Sequence, residues 1–237
     1  MSEQVQPTAF RRRSFVYRKL VAAGARFGEG GEAAVAMDFG SPEGEAAALR
    51  RMGLADLSPL PRVGFKGAGT ADWLAAQGVA VPAESNRAER QDDGGLAPRL
   101  APGEVWLLGS LSGANRPAEL VAAWSAEPLP PQTPRGFPVP RGETHAWFRI
   151  TGSESANMFA KICGVDLRSA KFSDGSMAQT SVARLNAVIV RDDLGEALAY
   201  HLLGDSASAM YLWDCLLDAM AEFDGGPVGL TALRGAG

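Results

Sequence analysis

His145, His201, Cys163 and Cys215 are the side chains of this 237-residue sequence best suited to proton transfer, nucleophilic attack or soft-metal ligation. Neither histidine belongs to an HxH or HExxH pattern, and a histidine-rich metal site needs more ligands at close spacing. His201 falls in a stretch read as a strand, where a hydrogen-bonded core or edge histidine is the expectation. No GxSxG elbow supplies a serine nucleophile. The cysteines allow at most one disulfide and neither is part of a CxxC pair. Lys161 is a cation that could activate Cys163. The apolar surroundings of both cysteines (159–163 and 212–216) instead suit small buried hydrophobes in a reducing compartment.

Gly67-Ala68-Gly69 follows a predicted strand and opens a helix, the context of a dinucleotide fingerprint. Asp72 stands where the third glycine is required and would set a negative charge against a pyrophosphate. Thr151-Gly152-Ser153 repeats the turn, again without phosphate chemistry. Both are read as tight turns that need glycine for backbone reasons. The acid pairs Asp92-Asp93 and Asp192-Asp193 lie in predicted turns, where adjacent carboxylates are solvated turn formers. No residue is assigned a catalytic, cofactor-binding or metal-binding role.

The charge balance narrows the partners. A net charge of -4 and a pI near 5.3 leave no basic face for nucleic acid. The exception is the run Arg11, Arg12, Arg13, Arg18 and Lys19, either a solvated arm or a docking arm for an acidic partner. No apolar run reaches the ~18 residues needed to span a bilayer, and Met1-Ser2-Glu3-Gln4 does not begin a signal peptide. A cytoplasmic protein with no membrane contact is expected.

The elements that must position these residues recur in order. Residues 1–43, rich in glycine and charge, are expected to be a flexible N-terminal arm. A helix fits Gly44 to Met52. Arg62–Lys66 alternates as a strand, Thr70 is placed to cap a helix ending at Gly78, strands fit 96–100 and 104–108, and a helix starts near Pro117. Residues 127–142 hold Pro128, Pro130, Pro131, Pro134, Pro138 and Pro140 and read as a semi-rigid linker. The order then repeats: strand 146–150, a helix capped by Ser153, a loop over 166–180, a hairpin of strands 183–190 and 197–203, and a final helix bearing Met210, Trp213, Leu217 and Met220. The expectation is an α+β protein of duplicated β-α-β-β-α units, with helices on antiparallel or mixed sheets. The halves are 44–126 and 143–224, followed by a flexible tail at 225–237, all in one compact domain.

Gly53-Leu54-Ala55-Asp56-Leu57-Ser58-Pro59-Leu60-Pro61-Arg62-Val63-Gly64-Phe65-Lys66-Gly67 resembles the opening signature of the glycine-cleavage T-protein and its relatives. Within this superfamily, the sarcosine oxidase gamma subunit family fits better. Asn86-Arg87-Ala88, Pro102-Gly103-Glu104-Val105-Trp106-Leu107-Leu108, Arg149-Ile150-Thr151-Gly152, residues 160–167, Met177-Ala178-Gln179-Thr180 and residues 211–219 follow its order. The resemblance implies a folate-binding (aminomethyltransferase) type fold. It also implies a non-catalytic accessory subunit of a heterotetrameric oxidase that demethylates sarcosine to glycine. Its partners would be larger flavin-containing alpha and beta subunits carrying FAD, FMN, NAD and tetrahydrofolate, with no cofactor in this chain. Two alternatives stand beside this: a gamma-like subunit of a related N-methyl amino acid dehydrogenase, and a stand-alone folate-binding one-carbon protein. The last needs an aromatic stacking surface and a base for the glutamate tail, for which Arg62, Arg149 and Lys161 are the candidates.

Overall fold

The computed structural model describes residues 4–128 and 133–236. In chain order its elements begin with helix α1 (Tyr17–Ala22), strands β1 (Arg26–Gly30) and β2 (Ala33–Asp38), helix α2 (Pro42–Arg51), strands β3 (Gly53–Asp56) and β4 (Arg62–Lys66), and helix α3 (Thr70–Ala76). Strands β5 (Arg87–Arg90), β6 (Leu96–Ala101) and β7 (Glu104–Leu108), helix α4 (Arg116–Ala126), and strands β8 (Phe137–Pro140) and β9 (His145–Thr151) follow. The last are α5 (Ser155–Ile162), β10 (Met177–Val182), β11 (Leu185–Arg191), β12 (Ala199–Asp205), α6 (Ala209–Met220), β13 (Gly226–Pro227) and α7 (Leu230–Arg234).

The chain divides into two compact units, one of Met1–Pro59, Thr144–Asp174 and Ala178–Gly237, the other of Leu60–Glu143 and Gly175–Met177. The single domain with boundaries at 44, 127 and 143 is corrected by this division. Strand β3, assigned from sequence to the first half, is bonded antiparallel to β9 of the second.

The duplication is visible in the sheets. Among the described residues one sheet runs β5-β6-β7-β4-β8 and the other β10-β11-β12-β9-β3-β13. In each, the strand before the first helix pairs with the last of the three strands after it. The repeating unit is therefore β-α-β-β-β-α, one strand longer than expected. The added strands are β5, whose Arg-Ala-Glu-Arg sequence has no apolar alternation, and β10, whose four middle residues alternate between half-buried and exposed.

Each unit buries its own core. In the larger one, α6 lays Leu212, Trp213, Leu216 and Met220 on the sheet, and Trp213 meets Phe148 edge-on at 5.3 Å. Phe159 of α5 meets Tyr200 of β12 at 5.5 Å in the same edge-to-face manner, the arrangement favoured by ring quadrupoles. In the smaller unit, Phe65, Leu74, Leu107, Leu120 and Trp124 form the core.

Several local expectations are corrected. Residues 1–43 are not an unstructured arm: α1 and the β1–β2 hairpin fold there, burying Val16, Leu20, Phe27 and Ala33–Ala36. The glycines read as breakers serve turns, with Gly24 and Gly31 at positive φ of 84° and 65°. The tail is also folded, for Val228, Leu230 and Leu233 are buried. Within the proline-rich stretch, Pro130 and Pro131 lie outside the described residues, while Phe137–Pro140 is an edge strand on β4. An edge position tolerates proline because alternate N–H groups point away from the sheet.

Helix starts also differ. Helix α2 begins at Pro42 rather than Gly44, with Ser41 capping it by accepting from Gly44 N at 3.3 Å, and Glu43 and Glu45 complementing the positive end. Thr70 is the first helical residue of α3, and its hydroxyl donates to Gly67 O at 2.8 Å. Glu154 rather than Ser153 occupies the N-cap of α5. No helix among the described residues is long and apolar enough to cross a membrane.

Candidate functional site

The strand pairing of the larger unit assembles a polar cluster that begins with a simple period. Trp147 and Arg149 are two residues apart on β9 and so share a face, and the β9–β12 register sets His201 opposite Arg149. All three are buried, at 1%, 3% and 3% exposure. Asp192, in the turn after β11, closes the group.

The hydrogen bonds fix the imidazole. Trp147 Nε1 lies 2.9 Å from His201 Nδ1, and an indole nitrogen can only donate. Nδ1 is therefore a bare acceptor, and the ring is neutral with its proton on Nε2. That proton points to Asp192 Oδ2 at 3.0 Å. Arg149 Nη2 reaches the same carboxylate at 3.0 Å and also donates to the Asp192 carbonyl at 2.6 Å. Arg149 Nη1 lies 2.6 Å from Nε2, and because both are N–H groups they stand side by side toward the Asp192 carboxylate rather than bonded to each other, with the guanidinium alone carrying charge.

This is not general-base geometry. Both ring nitrogens are committed inside the protein, and drawing a proton onto Nδ1 would break the Trp147 bond in a buried setting. What the cluster does is tie β9 and β12 to the turn at Asp192. A second layer extends it. Arg191 pairs with Asp193 at 2.5 Å and donates to Phe172 O at 2.6 Å, while Asp193 Oδ1 accepts from Ala199 N at 3.2 Å. The Asp193 bond raises the pKa of Arg191. Tyr200 donates to Leu167 O at 2.6 Å, and burial pushes its phenol up to about 12. The reading of Asp192-Asp193 as solvated turn formers is thus corrected: both carboxylates are bound to buried arginines. The sequence signal was the Trp-x-Arg period on one strand facing a histidine on another.

The remaining candidates disperse. His145 is partly buried and contacts Thr144 Oγ1 at 2.8 Å. Lys161 Nζ donates to Ala219 O at 2.9 Å and pairs with Glu222 at 3.1 Å, linking α5 to the end of α6. Cys163 and Cys215 are free thiols, each partly buried. Arg62 belongs to the other unit, where it donates to Leu60 O at 3.0 Å and Gly142 O at 2.9 Å. Gly69 and Gly152 have φ of 75° and 106°, and a Cβ at either would overlap backbone of Pro134 or Arg51, so the glycine turns are explained without a phosphate. No group of three or more His, Cys, Asp or Glu among the described residues could hold a metal ion.

The smaller unit holds a cavity of about 450 Å³ lined by Asp72, Trp73, Glu127, Pro134 and Arg135, among others. It is the place to test for a folate-type ligand, since it has an indole and a guanidinium. Glu127 accepts from Trp73 Nε1 at 2.7 Å and pairs with Arg135, which also lies over Trp124 at 4.8 Å. Those donors, Trp73 first, hold the Glu127 carboxyl below its ordinary range. Arg135 is already paired with Glu127, and the acidic side chains of Asp72 and Glu127 in the lining oppose the carboxylates of a glutamate tail. The residues do not fit the group. Glu127 and Arg135 were missed from sequence because they lie in the stretch taken as a linker.

A cavity of about 620 Å³ in the larger unit, lined by Arg26, Asp38, Leu49, Arg50, Leu194 and Ala232 among others, has no aromatic side chain in its lining.

No protein-family model and no curated protein sequence matches this chain. Solved structures do. A chain of the heterotetrameric sarcosine oxidase from Corynebacterium sp. U-96 aligns over 92% of this chain and 99% of its own length, with TM-score 0.66 and 22% identity. Aminomethyltransferase T of the glycine cleavage system from Bartonella henselae aligns over 95% of this chain with TM-score 0.74 and 15% identity, and this chain spans 61% of its length. The chain therefore has the α+β fold of aminomethyltransferase type, shared with a chain of a heterotetrameric sarcosine oxidase.

Proposed function

We propose that this chain is the small, gamma-type accessory subunit of a heterotetrameric sarcosine oxidase. It acts as a non-catalytic scaffold for larger alpha and beta subunits, which carry FAD, FMN, NAD and tetrahydrofolate and oxidatively demethylate sarcosine to glycine. The observation that carries the reading is size together with fold. The match to the sarcosine oxidase chain is end to end, 92% of one and 99% of the other, whereas the aminomethyltransferase extends well beyond it. The commitment of His201, Arg149 and Asp192 to one another favours a structural use of the fold, since a shared fold does not transmit chemistry. The acidic lining beside Trp73 weighs against the stand-alone folate-binding reading.

The test is to express the alpha and beta partners with and without this chain. The yield of flavin-loaded complex and sarcosine oxidation are then compared, alongside the isolated chain. The expected result is a colourless, inert chain whose omission lowers the yield of active complex. Sarcosine oxidation or tetrahydrofolate binding by the isolated chain would overturn the proposal, as would an unchanged yield without it.

A further inference from the structure

Residues 4–28 contain six arginines and lysines and no aspartate or glutamate, although the whole chain carries a net charge of -4. The fold holds this segment in place. Val5 N donates to Phe27 O at 2.9 Å, Arg12 bridges to Ala33, and Val16 and Leu20 are buried at 0% and 1% exposure. Val16 and Leu20 are four residues apart, so they define the inward face of α1. Tyr17 and Val21, also four apart, define a neighbouring face, and Val21 is 51% exposed.

Two guanidinium groups are arranged on that face. Arg13 lies over the Tyr17 ring at 5.0 Å and Arg18 at 5.6 Å, with Arg18 Nε donating to the Tyr17 hydroxyl at 3.2 Å. Neither arginine meets a carboxylate among the described residues, whereas Lys19 on the same helix is paired with Asp214 at 2.9 Å. Stacking on an aromatic ring restrains a guanidinium while leaving its N–H fork to solvent. Tyrosine and arginine beside an exposed aliphatic side chain are the composition of interface hot spots. We propose that Arg13, Tyr17, Arg18 and Val21 form a docking surface for an acidic patch on a partner protein subunit. The charge selects an acidic partner, and the apolar pair Tyr17–Val21 selects a protein surface over a polyphosphate. This deepens the accessory-subunit reading and rests on it.

The test uses the full chain coexpressed with the alpha and beta partners. Arg13→Glu/Arg18→Glu is compared with Arg13→Gln/Arg18→Gln and with a charge-matched control, Arg50→Glu/Lys171→Glu. Thermal melts establish that each variant is folded. The glutamate pair should reduce copurification roughly tenfold or more and the glutamine pair less, with added salt weakening the wild type, as rim charges do. The control should copurify normally. Copurification of the folded glutamate pair at the wild-type level would overturn this proposal while leaving the accessory role intact. Failure of the wild type to copurify would overturn both. A concentration-dependent dimer of the isolated chain, lost in the glutamate pair, would assign the surface to a second copy and also overturn the proposal.

Discussion

The indole of Trp147 donates to Nδ1 of His201 at 2.9 Å, and this single bond determines the state of the buried cluster around it. With Nδ1 occupied, the ring keeps one proton, on Nε2, and Asp192 is left to neutralise Arg149. Arg149 is only 3% exposed, and Asp192 places a carboxylate oxygen 3.0 Å from its guanidinium. Asp192→Asn should therefore cost about 3–5 kcal/mol, the penalty for leaving a buried charge without its partner. Denaturant unfolding of the variant checks this; a loss under about 1 kcal/mol would mean that the guanidinium is hydrated.

Trp213→Ala removes a ring that is 1% exposed and packed edge-on against Phe148 at 5.3 Å. The expected cost is about 3–5 kcal/mol, from lost transfer energy and the cavity left behind. Yield of any complex containing the chain should fall with it. Wild-type thermal stability in this variant would contradict the place given to α6 in the core.

Gly152 has φ of 106°, and an added Cβ would collide with the backbone of Arg51. Gly152→Ala should destabilise by about 2 kcal/mol or more, since strain and overlap act together. By contrast, Gly164 has open space at its Cβ position, and Gly164→Ala should be close to neutral in the same melts.

Tyr200 is neutral in the fold to an unusually high pH, because burial raises its pKa to about 12. In the unfolded chain a tyrosine ionises near ~10. Between these values the unfolded state releases a proton that the folded state retains, so the contribution of Tyr200 is complete below about pH 10 and declines as pH rises towards 12. Tyr200→Phe should flatten stability across that window. An equally steep alkaline decline in the variant would place the titration elsewhere.

What the sequence disclosed depended on whether an element advertised its environment. The Arg62–Lys66 and Glu104–Leu108 strands alternate or are continuously apolar, and both were legible. So was the recurrence of strand, glycine turn and helix at Gly67–Thr70 and Thr151–Ser155, which is what the matched sheet orders share. Strand β5 was not, for it lies at a sheet edge with mostly exposed polar side chains. The β1–β2 hairpin was hidden by glycine and charge around a short core of Ala33–Ala36, whose small side chains give a weak pattern. Asp192 was misread because its partners, Arg149 and His201, are 43 and 9 residues away in sequence and meet it only through strand register.

Purification through a tag on the chain itself distinguishes an assembly partner from an enzyme in its own right. The tagged chain would be coexpressed with the candidate alpha and beta subunits, and flavin absorbance per copy of the chain would be measured in the eluate. An accessory subunit gives a yellow eluate containing all the subunits in fixed proportion. A colourless eluate containing the chain alone, from cells in which the partners are soluble and flavin-loaded, would contradict the accessory role.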